Sequence, residues 1–98
     1  MTFLAATFDE GLVRVRGQSV PGSDGNLCVH RTLEPMSCGW SLSHVPTGCA
    51  FRNDFATSDD AHAFAQRFLR ECDRRYLRMK DPRAFVRRMR AAFRRAGV

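Results

Sequence analysis

The chain has 98 residues, of which 44% are apolar, with 16 basic and 10 acidic groups and a net charge of +6. That length accommodates one modest core and excludes two. No run approaches the roughly 20 apolar residues that span a bilayer. The opening Met1-Thr2-Phe3-Leu4-Ala5-Ala6 has no basic n-region and soon meets Asp9 and Glu10, which makes a poor secretory signal. The expectation is a cytoplasmic protein with no membrane partner and with its four cysteines reduced.

The charge is divided along the chain. Residues 1–66 hold 4 basic and 7 acidic groups, a net of −3, and residues 67–98 hold 12 and 3, a net of +9. A basic half of this kind suits an acidic partner: nucleic acid, an acidic protein face or anionic lipid. A plainer reading stands beside it. Fifteen of the sixteen basic residues are arginine, as a GC-rich genome tends to encode, and a solvated helix needs polar residues somewhere.

In chain order, the apolar run Phe3 to Phe8 breaks at Asp9-Glu10-Gly11, and Leu12-Val13-Arg14-Val15-Arg16 alternates as a half-buried strand does. Together they predict a β-hairpin. Gly17 to Gly25 is rich in turn formers and predicts an exposed, mobile loop. A strand follows at Leu27 to Leu33, with Leu27, Val29 and Leu33 alternating against Cys28, His30 and Thr32. Another runs from Gly39 to Val45, with Trp40, Leu42 and His44 on one side and Ser41 and Ser43 on the other, wet side. Pro46-Thr47-Gly48 is a turn signal, and Cys49 to Arg52 returns as the next strand. Two registers are open there. One sets Cys49 opposite His44 and aims Phe51 at Leu42, and a bulged loop shifts the pairing by one residue.

The last forty residues read as two amphipathic helices. Ala61, Phe64, Ala65, Phe68, Leu69, Cys72 and Tyr76 share one face of the first, and Phe85, Val86, Met89, Ala92, Phe93 and Ala96 share one face of the second. Thr57 with Asp60 caps the first, which is expected to run to about Met79. Asp81-Pro82 starts the second and Gly97 ends it. The same arithmetic groups Arg67, Arg70, Arg74 and Arg78 on the first helix and Arg83, Arg87, Arg90 and Arg94 on the second. The predicted architecture is one α+β domain over 1–98: a β-rich part, 1–56, with a small antiparallel sheet of four to five strands, and a helical part, 57–97, with two amphipathic helices packed on one face of that sheet.

Cys28, His30, Cys38, His44 and Cys49 are zinc-ligand types, yet their spacing has no CxxC knuckle, and small cysteines or histidines on half-buried strands are ordinarily packing residues. No metal or cofactor is expected. His44 near Cys49, with Asp54 as orienter, has the residue types of a thiolate–imidazolium pair, but no nucleophile turn or oxyanion loop accompanies them, and no glycine loop cradles a phosphate. No catalytic residue is assigned, and no enzyme is expected. The contact set is therefore the eight arginines. An arginine stripe neutralises phosphates or pairs with carboxylates in a bidentate way. The second helix has no Asn, Gln, Ser or Thr from Arg83 onward, so any nucleic-acid contact is expected at the backbone and not at base edges. Two full apolar stripes leave either a monomer or a homodimer open.

The segment Gly39-Trp40-Ser41-Leu42-Ser43-His44-Val45-Pro46-Thr47-Gly48, followed by a short strand and a helix opening Thr57-Ser58-Asp59-Asp60-Ala61, resembles a pattern of small phage and plasmid accessory proteins: a tryptophan strand, a Thr/Ser-His-x-Pro-Thr-Gly turn and an alanine-bearing helix. The resemblance covers roughly residues 39–69. It implies a mobile-element protein of a class that includes the anti-CRISPR proteins, which inhibit bacterial immune complexes by occupying a surface. Many of those are acidic mimics of nucleic acid, and this basic chain departs from them. The expectation is a small binding protein that docks its arginine face on an acidic part of a bacterial protein or nucleoprotein complex, the alternative being a sequence-nonspecific nucleic-acid binder.

Overall fold

The computed structural model describes residues 1–6, 11–33, 39–71 and 74–96, apart from the side chains of Arg74, Tyr76, Phe93, Arg95 and Ala96. Strands β1 (Thr2–Ala6) and β2 (Leu12–Arg16) form one antiparallel hairpin. A second, four-stranded antiparallel sheet runs in the order β3 (Gln18–Ser19), β4 (Leu27–Arg31), β5 (Trp40–His44), β6 (Ala50–Phe55). Helix α1 (Ser58–Glu71), a 3₁₀ turn (Arg74–Arg78) and helix α2 (Pro82–Ala96) complete the chain. The α+β class holds, with six strands divided between two sheets.

The four-stranded sheet is covered on both faces, as the alternation in β4 requires. Leu27 and Val29 enter the main core with Val20, Leu42, Phe51, Phe55, Ala61, Ala65, Phe68, Leu69, Leu77, Phe85 and Met89. Cys28 points the other way, into a smaller cluster with Phe3, Ala5, Val15 and the flanking Val45. The β1–β2 hairpin therefore lies on one face and the helices on the other. Gly48, at φ 73°, permits the close approach between layers: its carbonyl accepts from the Ala6 N–H at 2.7 Å, and a Cβ there would collide with the Leu4 carbonyl oxygen.

Three local expectations are overturned. The stretch after Gly17 is exposed over most of its length, as expected, but it is not a loop throughout. Gln18 and Ser19 pair with Val29 and Cys28, Val20 is 1% exposed, and the Ser23 hydroxyl donates to the Val20 carbonyl at 2.7 Å while accepting from the Leu27 N–H. The turn formers shape a tied loop around one core valine. Second, Ser41 and Ser43 are each 1% exposed. They lie under the hairpin side in a polar layer, where Thr32 Oγ1 and Ser41 Oγ meet at 2.8 Å, Ser41 donates to Asn53 Oδ1 at 2.7 Å and Ser43 meets His30 Nε2 at 2.7 Å. Alternation located the face correctly, but a polar face buried by a second layer reads like a wet one.

Third, the first helix does not run to Met79. Thr57 Oγ1 accepts from the Asp60 N–H at 3.0 Å and opens α1 as expected, and Ala61, Ala65, Phe68 and Leu69 are buried along it. Continued to residue 77, an α-helix would aim Leu77 about 130° away from that stripe. The 3₁₀ turn instead buries Leu77 to 3% exposure. Cys72 lies outside the described residues, as does Gly97. Asp81 caps α2 as expected, its Oδ1 accepting from the Arg83 N–H at 3.1 Å.

The β5–β6 register combines both sequence alternatives. His44 N–H donates to the Cys49 carbonyl at 2.8 Å and Ser43 faces Ala50, but the ladder then slips so that Leu42 faces Arg52 and Trp40 faces Phe55. The slip leaves Phe51 to turn into the helix-side core, where it stacks on Phe85 at 5.2 Å and tilts against Phe68 at 4.8 Å. Replacing Phe68 or Phe85 with alanine is expected to cost about 3–5 kcal/mol in urea unfolding. A loss below about 1 kcal/mol would mean that these rings are not core.

Candidate functional site

Helix α2 holds six arginines, Arg83, Arg87, Arg88, Arg90, Arg94 and Arg95, and no carboxylate. The other 83 residues hold 10 basic and 10 acidic groups, so the whole net charge of +6 resides on this helix. Its buried residues among those described are Phe85, Met89 and Ala92. At about 100° per residue, Arg83, Arg87, Arg90 and Arg94 fall within a band of about 60° on the opposite side. Phe85 thus sets where the arginines point.

These four arginines, with Pro82 and Val86, line an open trough of about 540 Å³. Val86 packs against the edge of the main core and provides an apolar floor beside the cations. Among the described residues, no hydrogen bond or ion pair holds any of the four guanidinium groups. Of the remaining members of the expected contact set, Arg67, Arg70 and Arg78 do not line the trough. Arg67 is half engaged by Glu71, Nε to Oε2 at 3.2 Å, one turn along α1. Arg70 is exposed on α1 and Arg78 is exposed at the end of the 3₁₀ turn. The Arg74 side chain lies outside the described residues. Ending α1 at Glu71 is what divides the first stripe.

The cysteine and histidine set is divided by the sheet. Cys28 and His30 lie on the hairpin side, while His44 and Cys49 border the helix-side core. Cys38 lies outside the described residues. No group of three His, Cys, Asp or Glu among the described residues is placed to hold a metal ion. Both histidines are fully engaged. His44 Nε2 donates to the Leu77 carbonyl at 2.7 Å, so Nδ1 accepts from the Thr47 hydroxyl at 2.8 Å. His30 Nδ1 donates to the Arg31 carbonyl at 2.7 Å, and Nε2 accepts from Ser43. The Cys49 thiol is directed at the Thr47 carbonyl, 3.9 Å away, and not at the imidazole. Burial pushes the Cys28 thiol up to about 11, so it stays protonated near neutrality and is a poor nucleophile.

One arrangement had no counterpart in the sequence pattern. The Arg31 guanidinium lies 4.5 Å over Trp40, and Arg52 lies 5.1 Å from Phe55 and 5.4 Å from Phe64. The signal resides in strand register, since Arg31 faces Trp40 and Trp40 faces Phe55 across the sheet. Such pairs hold arginines down on rings. Among the described residues, no arginine of α2 is held in this way.

No protein-family model, curated protein or solved structure matches this chain.

Two outcomes follow from this geometry. Burial lowers the pKa of both His30 and His44 from the ordinary 6.5. The unfolded chain therefore binds more protons below that value. Stability is fully present above about pH 6.5 and falls as pH drops toward the lowered folded values, by up to about 1.4 kcal/mol per pH unit for each histidine. Chemical unfolding across about pH 7 to pH 5 measures this, and a flat profile would contradict the neutral, doubly bonded rings. Separately, Arg90 stands three and four residues from Arg87 and Arg94, spacings at which like charges repel. Arg90→Glu is expected to raise stability by about 0.5–1 kcal/mol at low salt, read from the urea midpoint, with the gain shrinking as salt is added.

Proposed function

We propose that this chain is a non-enzymatic binding protein that sets the arginine face of α2 against an acidic surface of a bacterial protein or nucleoprotein complex. The observation that carries the reading is the segregation of the net charge onto one helix, four of whose six arginines share an exposed face with their guanidinium groups left unengaged among the described residues. A merely solvated helix gains from mixed charges at three- and four-residue spacing; α2 has none. Arginine is also the cation best suited to an interface, because its planar fork pairs with two oxygens at once. Arg67, Arg70, Arg74 and Arg78 would form the flank of this contact surface, with Arg83, Arg87, Arg90 and Arg94 as its centre. The resemblance carried by residues 39–69 points to inhibition of an immune complex in the bacterial cytoplasm, of the anti-CRISPR kind, by occlusion.

A second reading is supported by the same helix: a phosphate-backbone binder without sequence preference. No helix among the described residues is long and apolar enough to cross a membrane, and a membrane is not proposed as partner.

Affinity capture from a bacterial lysate with and without nuclease separates the readings. A stoichiometric protein complex that survives nuclease, and is lost when Arg83, Arg87 and Arg90 are changed to glutamate, is the expected result. Nuclease-sensitive recovery, with log affinity falling by about 0.9 per phosphate contact against log salt, would favour the second reading. Undiminished binding by the triple variant would remove the arginine face from the account.

A further inference from the structure

Resting on the reading that α2 meets an acidic surface, we infer that its occupant is an acidic amphipathic α-helix of a partner protein. The spacing carries the argument. Arg83, Arg87, Arg90 and Arg94 follow steps of four, three and four residues, which at a rise of about 1.5 Å per residue place the cations about 0, 6, 10.5 and 16.5 Å along the axis. Carboxylates at steps of four, three and four on a second helix lie at the same heights. This alternation of long and short intervals is the seam geometry by which two helices run side by side. An extended acidic strand presents like side chains at even intervals of about 6.6 Å, and falls out of step after two contacts.

The lining of the trough points the same way. Pro82 and Val86 lie along its floor, one helical turn apart, and Val86 is already partly buried against the core. A row of leucines or valines beside the carboxylates of an amphipathic helix would cover them. A phosphate strand has nothing to place there except bases, and among the described residues no aromatic side chain lines the trough on which a base could stack. Nor does α2 offer an Asn, Gln, Ser or Thr to bond a base edge.

The test uses the full chain and three probes. One is a synthetic helix, stapled to hold its conformation, with glutamates at steps of four, three and four and leucines flanking them. A second has the same composition with the glutamates moved off the seam. The third is a fluorescent oligonucleotide, single-stranded and duplex. Fluorescence anisotropy is expected to show the seam peptide binding at least about tenfold more tightly than the rearranged one. Arg87→Glu with Arg90→Glu should abolish that binding, whereas Arg88→Glu, about 100° around the helix, should change it by less than about twofold. Equal binding of the two peptides, or an equal loss from R88E, reduces the effect to bulk charge and overturns the helix inference. Oligonucleotide binding that needs Arg87 and Arg90, with no peptide binding, also overturns it and favours the phosphate-backbone reading of the same arginine face. If neither peptide nor oligonucleotide binds, both fall together.

Discussion

The position of α2 depends on His44. Its ring stacks on Phe85 at 3.8 Å, nearly parallel, and lies 6.2 Å from Phe51. Its two nitrogens bridge Thr47, in the turn after β5, and the Leu77 carbonyl in the 3₁₀ turn. One fully buried imidazole thereby joins the sheet, the hairpin turn, the connector and the last helix. A carbonyl at the end of a short 3₁₀ segment needs an outside donor, and Nε2 supplies it. An apolar ring in the same place would fill the volume and leave Leu77 without that bond.

The same economy explains how so short a chain buries both faces of a sheet. The helix side is apolar and takes most of the large residues. The hairpin side is thin, and Phe3, Ala5 and Val15 alone would not fill it. The sheet meets this layer with hydroxyls and an imidazole that satisfy one another, Ser43 to His30 and Thr32 through Ser41 to Asn53. Among the described residues no buried side-chain polar atom lacks a partner. A satisfied polar layer is about neutral in energy but directional, so it favours a single arrangement of hairpin on sheet.

What could be read from the sequence follows from this layering. Period-2 alternation located β2, β4 and β5, and capping chemistry located both helix starts to within a residue: Thr57 before α1 and Asp81 before α2. The misreadings share a cause, which is that polarity in sequence reports water only when no second layer intervenes. Ser41 and Ser43 are buried because of residues far away in the chain, and Ser23 because its turn closes on Val20 and Leu27. The extension of α1 to Met79 came from Cys72 and Tyr76 continuing the stripe, a local signal that carries no information about His44, whose need for the Leu77 carbonyl is a contact across 33 positions. For the arginines, periodicity recovered the α2 group as a face, because one uninterrupted helix maps spacing directly onto direction. The α1 group spans the helix end at Glu71, and spacing ceases to mean direction there.

That difference bears on how fold and contact face are related. On α2 the anchoring residues Phe85, Met89 and Ala92 and the seam arginines occupy opposite sides of one helix. The arginines contribute little to holding the helix in place, and their mutual repulsion opposes it by a few tenths of a kcal/mol for each close pair. The helix is retained by the apolar side, the Asp81 cap and the stack on His44. The surface residues are thus free to be chosen for something other than folding, and six like charges without one carboxylate is a choice that folding alone disfavours. The cost is small against what Phe85 contributes by burial, so the scaffold can carry it. An acidic helix that neutralised the seam would remove this cost at the moment of docking, and binding through α2 would then stabilise the fold that presents it.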